Sequence, residues 1–244
     1  MRGIIIVLIS ILLCSCGREA KEHNDRGMEY MKQGLYDRAI EELNAAIILR
    51  NGWTPPYYNR AICLANVHRY LEALNDFNFV EQNDPYNVRV YLYRGVVYEN
   101  MNSYASAVAD YTRAIDVDPE FLQAYHYRGI ARFYMKDYEG ALTDYFYARK
   151  MGLNETSLYY NIGVVMQEKG DLAAAIENYS AAIAMNPSYA NAYYNRGIAR
   201  FAQSRSNAEA AIQDLRTARK LGITKSNNLI RTYAQFLDLY PLLK

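Results

Sequence analysis

The sequence predicts an all-α fold: a right-handed α-solenoid of six helix-pair repeats followed by a C-terminal capping helix. Three observations carry this. Small residues recur every 34 positions, at Gly27, Ala61, Gly95, Gly129, Gly163 and Gly197. Within each period, apolar residues fall at helical spacing in two segments, as at Tyr91, Gly95, Tyr98 and then Ala107, Tyr111, Ala114, with turn-prone residues between them. Tyrosine is unusually abundant, 25 of 244 residues, and much of it sits in register, for example at Tyr57, Tyr91, Tyr125, Tyr159 and Tyr193. An aromatic stripe at helical spacing reads as packing between stacked repeats.

The composition narrows the function classes. Lys plus Arg is 27 and Asp plus Glu is 26, so the net charge is +1. That balance lacks the basic footprint of a nucleic-acid-binding protein. Half the residues are apolar and 22% are charged, as in a globular chain. Three cysteines make no disulfide framework and show no zinc spacing.

Taken in order, the chain opens with a targeting segment, residues 1–15. Arg2 precedes Ile4–Leu13, aliphatic throughout except for one serine. The run is too short for the roughly 20 residues of a spanning helix and fits the core of a signal peptide. Leu13-Cys14-Ser15-Cys16 resembles the lipobox of bacterial lipoproteins, with Cys14 an uncommon occupant of its slot. The resemblance implies cleavage after residue 15 and a lipid on Cys16. Residues 16–19 are then the lipidated terminus and a short tether of Gly17, Arg18 and Glu19, which would hold the solenoid close to a bacterial membrane, on its periplasmic or cell-surface side. By the same resemblance, Gly17 in place of a retention Asp favours the outer membrane in a Gram-negative cell.

Six repeats follow, at 20–53, 54–87, 88–121, 122–155, 156–189 and 190–223. Twelve residues after the small residue come Ala39, Ala73, Ala107, Ala141 and Ala175. Four later stand Leu43, Phe77, Tyr111, Tyr145 and Tyr179. Each repeat is therefore a helix A and a helix B. The Gly of one and the Ala of the other are read as letting two backbones approach. Pro85, Pro119 and Pro187 end three repeats, because proline cannot continue a helix. Gly152 and Gly222 supply left-handed caps for two others. A 34-residue period with these columns resembles the tetratricopeptide repeat (TPR) family. In the sixth repeat two extra residues fall in the turn at Gln203–Asn207. Residues 224–244 form the capping helix and tail, with Leu229, Ile230, Tyr233, Phe236 and Leu237 on one face and an apolar tail at Leu239–Leu243.

A charge pair is written into the repeats. Arg26, Arg60, Arg94 and Arg128 are each followed sixteen residues later by an acid, at Glu42, Asp76, Asp110 and Asp144. Arg196 faces Asp214 across the insertion, and in the fifth repeat both members are missing together, as Ile162 and Asn178. Joint presence and joint absence predict contact between helices A and B. Cys63 reads as a buried thiol.

No metal-ligand His pair, phosphate loop or nucleophile elbow is present, and the repeats account for nearly all of the chain after the leader. The expectation is a non-enzyme without cofactor or metal. A solenoid of this kind presents a concave surface lined by its A helices. By resemblance that groove takes a peptide or helix of a protein partner. Its candidate residues are Tyr58, His126, Phe133, Tyr134, Tyr160, Tyr194 and Phe201, weighted to the C-terminal half. Met28, Ile62, Val96, Ile130, Val164 and Ile198 stand where carboxylate-clamping relatives carry Asn, which argues against such a clamp. The reading is a lipid-anchored adaptor in a cell-envelope assembly, bound to a membrane through its lipid and to a protein partner, with no nucleic acid. The alternative is a surface glycan-binding lipoprotein that stacks sugars on Tyr160 and Tyr194.

Overall fold

The computed structural model describes the backbone of residues 2–239 and the side chains of residues 16–235. Leu13, Cys14 and Ser15 of the lipobox, Phe236 and Leu237 of the capping face, and the Leu239–Leu243 tail lie outside the described side chains. The described residues are helical and carry no strand. The repeats supply α1 (Arg2–Lys32), α2 (Tyr36–Leu49), α3 (Thr54–Asn66), α4 (Tyr70–Asn83), α5 (Val88–Asn100), α6 (Tyr104–Val117) and α7 (Leu122–Tyr134). They continue with α8 (Tyr138–Lys150), α9 (Thr156–Glu168), α10 (Leu172–Met185), α11 (Ala190–Gln203) and α12 (Ala208–Lys220), and α13 (Ser226–Leu239) follows. Odd-numbered helices up to α11 are the A helices and even-numbered ones the B helices. The chain divides into two compact halves, residues 1–127 and 128–244. This is the paired-helix fold of a TPR solenoid.

Gly17, Arg18 and Glu19, read from the sequence as a leash, are helical and belong to α1. Exposed side-chain pairs one turn apart, Arg18 with Glu22 and Lys21 with Asp25, add a little to the helix here. At a helical rise of about 1.5 Å per residue these three residues span less than an extended segment would.

The turn from A to B repeats with the sequence. Gly34, His68, Asn102, Lys136 and Gly170, again 34 residues apart, all have positive φ, between 58° and 84°. One left-handed residue reverses the chain in five repeats, and three of the five are not glycine. In the sixth repeat the corresponding Ser204 is extended, with φ −156°, and accepts a hydrogen bond from the Ser206 N–H to start a 3₁₀ turn at Arg205–Asn207. That turn absorbs the two extra residues. Gly152 and Gly222 close the fourth and sixth repeats with φ of 102° and 106°.

The small-residue column does something the sequence reading did not anticipate. A Cβ on Gly95 would lie 2.4 Å from Cε1 of Tyr111, and one on Gly129 2.4 Å from Cε1 of Tyr145. One on Gly163 would lie 2.7 Å from the Tyr179 ring. At these three positions the glycine of helix A makes room for the fully buried tyrosine of helix B, sixteen residues on; at Gly197 the nearest atom is instead the backbone oxygen of Ala211, at 3.0 Å, which is the backbone approach read from the sequence. Ala39, Ala73, Ala107, Ala141 and Ala175 are themselves completely buried. Where helix A carries Ala61, helix B carries Phe77, a ring without the hydroxyl.

The arginines lock A to B. In the first half Arg60 donates through Nε and Nη2 to Asp76 at 2.8 and 2.7 Å, and Arg94 does the same to Asp110 at 2.8 and 2.7 Å. In the second half Arg128 reaches Asp144 at 3.0 and 2.7 Å, and Arg196 reaches Asp214 at 3.0 and 2.7 Å. Arg26 donates to Glu42 at 2.9 Å. The third arm crosses to the preceding B helix, a contact absent from the sequence reading. Nη1 of Arg60 meets Asn44, that of Arg94 meets Asn78, and that of Arg196 meets Ser180, at 2.6 to 2.9 Å. These acceptors stand sixteen residues before each arginine. In the fifth repeat that position is Phe146, so the whole set is lost together. Ile162 is buried there, and Asn178 donates to its own helix at Ala174 O. Burial opposes the charge on Arg94, but its bonds to Asp110 and Glu81 outweigh it and raise its pKa.

The C-terminal end is closed by α13. Tyr233 stacks on Phe201 with ring centroids 3.7 Å apart and planes 7° from parallel. Leu229 and Ile230 pack on the same cluster with Ala211, Ile212 and Leu215. Cys63 is fully buried, and burial pushes its thiol up to about 12, so it stays protonated.

Candidate functional site

Two notches open between successive A helices, one in each half, built from the same columns. In the first half, α3 and α5 contribute Ile62, Ala65 and Asn66, and Tyr93, Val96, Val97 and Asn100, over a floor of Phe77 from α4. In the second, α7 and α9 contribute Ile130, Phe133 and Tyr134, and Tyr160, Asn161 and Val164, over Tyr145 from α8. Ile62 and Ile130, Ala65 and Phe133, Asn66 and Tyr134, Phe77 and Tyr145, and Val96 and Val164 are each 68 residues apart, two full repeats. The notches enclose about 180 and 130 Å³. Ligand pockets typically run from roughly 300 Å³ upward, so these suit single side chains of a partner rather than a cofactor.

Of the residues named from the sequence, Phe133, Tyr134 and Tyr160 meet in the second notch. Tyr134 is the most open, at 57% exposure. The others lie elsewhere. His126 is buried, at 4% exposure. Phe201 is stacked against the capping helix. Tyr58 packs edge-on to Phe77 and Tyr93, and Tyr194 has the Lys225 ammonium 4.4 Å above its ring. Asn24, Leu92 and His126 of the same column are buried. Successive A helices touch where Asn59 donates to Asn24 and where Asn195 donates to the Tyr160 hydroxyl, both at 3.0 Å. What the sequence reading missed is the aliphatic column of Ile62, Val96, Ile130 and Val164. It served there only to argue against a carboxylate clamp; in the structure it lines both notches. Its regular apolar character was the available signal.

One polar feature stands apart. The Tyr179 hydroxyl donates to Gln167 Oε1 at 3.0 Å. The matching pair two repeats earlier is Tyr111 and Glu99. There the tyrosine hydroxyl and Glu99 Oε1 are buried without hydrogen-bond partners. Burial pushes the Glu99 carboxyl up to about 7.

Among the described residues no group of three or more His, Cys, Asp or Glu is placed to hold a metal ion. No helix among them is long and apolar enough to cross a membrane. Cys16 is a partly exposed free thiol on α1.

Comparison with known proteins agrees with the repeat and the fold. Residues 23–51 and 88–121 match the tetratricopeptide repeat, and residues 168–204 match the TPR repeat. No curated protein sequence matches the chain. Among solved structures it is similar to Pseudomonas aeruginosa pilF, at 14% identity and a TM-score of 0.75, over 89% of this chain and 99% of that one. A tetratricopeptide repeat protein from Parabacteroides merdae aligns at 20% identity and a TM-score of 0.67, over 88% and 83%. YrrB, described as a TPR protein with an unusual peptide-binding site, aligns at 22% identity and a TM-score of 0.60, over 79% and 97%. The chain thus contains TPR repeats, which build scaffolds for protein–protein interaction.

Proposed function

We propose that this protein is a non-catalytic adaptor, anchored to a bacterial membrane by a lipid on Cys16, that holds a protein partner through the notches between its A helices. The observation that carries the binding part is their recurrence: two apolar notches built from the same columns, one in each half, suit the apolar side chains of a peptide or helix. The second, with Phe133, Tyr134 and Tyr160, is the more aromatic and is the expected anchor. That YrrB is described as having a peptide-binding site supports this kind of use. The lipobox resemblance supports the anchor and, with Gly17 after Cys16, an outer-membrane position in a Gram-negative cell, within an envelope assembly. The glycan alternative is less well supported, because sugar stacking needs open ring faces. Tyr160 instead meets Tyr179 and Tyr189, and Tyr194 lies under Lys225.

The test is affinity capture from detergent-solubilised envelopes with wild type and with Ile130→Ala plus Tyr134→Ala. A partner seated in the second notch should be lost from the variant, since a buried hot spot is worth about 2 kcal/mol or more. Its helical circular dichroism should be unchanged. Because the notch is apolar, capture by wild type should depend weakly on salt. Equal capture by the variant would reject the notch as the binding site.

A further inference from the structure

The carboxylate that each helix-A arginine holds is completed in different ways along the chain. In the second half, α7 and α11 carry the same six residues, Arg-Gly-Ile-Ala-Arg-Phe, at 128–133 and 196–201. The second arginine of each reaches the same acid as the first. Arg132 Nη1 donates to Asp144 Oδ2 at 2.7 Å and to Gly140 O at 3.3 Å. Arg200 Nη1 donates to Asp214 Oδ2 at 2.7 Å. Each buried carboxylate is thus shared by two guanidinium groups.

In the first half the position matching Arg132 is Leu64 on α3. Arg60 grips Asp76 as Arg128 grips Asp144, and Asp76 is also buried, at 6% exposure against 2% for Asp144. Where the second guanidinium would lie there is instead a cavity of about 280 Å³ among α2, α3 and α4. Ile40 and Leu64 form its apolar wall, which would pack an aliphatic stem, and Asp76, Glu72 and Asn75 supply acceptors beyond it. We propose that this cavity is a binding site for a guanidinium group, an arginine side chain presented by a partner protein, which would take the place that Arg132 and Arg200 fill internally.

Arginine rather than lysine follows from what fills the matching place in the second half, a guanidinium in both cases. A planar fork can share a carboxylate that already accepts two parallel bonds, whereas an ammonium is a more strongly hydrated point charge. The nearby Arg60 does not forbid a second cation, because the Arg128–Asp144–Arg132 and Arg196–Asp214–Arg200 sets show the same arrangement occupied. Arg69 also borders the cavity, but Glu72 holds its guanidinium at the rim through bonds of 2.7 and 2.6 Å. The site is separate from the notches and is tested independently of them, although a partner's arginine as its occupant rests on the adaptor reading.

The test is titration of the ¹⁵N-labelled protein with L-argininamide, followed by amide shifts, with L-lysinamide as the comparison. Saturable shifts are expected around Asn75 and Asp76, with little change around Asp144. Lysinamide should bind roughly fivefold more weakly or worse. Leu64→Arg, which supplies the missing side chain from within, should abolish the response. Arg69→Gln, which removes a competing rim cation, should tighten binding severalfold. Non-saturating shifts, equal response to lysinamide, or a response that survives in folded Leu64→Arg would overturn the proposal. If Leu64→Arg loses its helical signal, Arg69→Gln decides, and unchanged affinity there rejects the site.

Discussion

Replacing Glu99 by glutamine should stabilise the protein, and do so only above mildly acidic pH. Two buried tyrosines lie under matching A helices. On α9, Gln167 accepts the Tyr179 hydroxyl; on α5, Glu99 stands beside Tyr111 with one carboxylate oxygen and the hydroxyl both unpartnered. Burial lifts the Glu99 carboxyl from 4.5 to about 7. A carboxyl raised on folding binds its proton more tightly in the folded state, so the folded protein is penalised where the group is ionised. That penalty is complete above pH 7, shrinks as pH falls from about 7 toward 4.5, and is gone below. At about 1.4 kcal/mol per pH unit, the full gap is roughly 3 kcal/mol, and the carboxyl's residual contact with water brings the expectation to roughly 1–3 kcal/mol. Glutamine carries no charge and can accept the Tyr111 hydroxyl as Gln167 accepts that of Tyr179. Urea unfolding followed by circular dichroism, at pH 8 and pH 5, measures this. Glu99→Gln should gain roughly 1–3 kcal/mol at pH 8 and less than about 1 kcal/mol at pH 5. Equal stability at pH 8, or the same gain at both pH values, would refute the proton linkage.

Two further outcomes are expected. Arg94→Ala should cost about 3 kcal/mol, because it strands Asp110 in a buried place, whereas an exposed change such as Lys220→Ala should cost little. Adding Asp110→Ala should recover part of that loss, and strict additivity in the double-mutant cycle would argue against the pairing energy. Cys16→Ala should release the protein from the membrane fraction or leave an uncleaved precursor, and wild-type fractionation and mobility would contradict the lipid anchor.

Much of the fold was legible in the chain because the repeat is a local pattern copied many times. The helix pairs, the proline and glycine stops, the capping helix, and the partners of Arg60, Arg94, Arg128 and Arg196 all follow from residues at fixed offsets in register. The loss of Arg and Asp together in the fifth repeat was enough to link two helices without coordinates. Even the turn of the sixth repeat was placed by counting, although its 3₁₀ form was not. The third arginine arm was legible in principle, since Asn44, Asn78 and Ser180 keep the same offset, but one polar residue among many on a B helix carries no mark of its partner.

Which residues face outward was decided only by tertiary packing. Periodicity gives the angle of a side chain around its own helix and says nothing of how close the next helix comes. Tyr58, His126 and Tyr194 share a column with Tyr160, yet only Tyr160 lines a notch, while His126 is shut in and Tyr194 is capped by Lys225. Phe201 matches Phe133 by register but is covered because α13 lays Tyr233 flat on it, whereas Phe133 stays on the wall of a notch beside α9. The same holds for the glycine column. A missing side chain marks a close approach, but only the three-dimensional path of the B helix shows that the approaching group is the ring of Tyr111, Tyr145 or Tyr179. Pattern along one chain fixes directions; the distances between neighbouring helices, set by the volumes of all the side chains between them, decide what those directions meet.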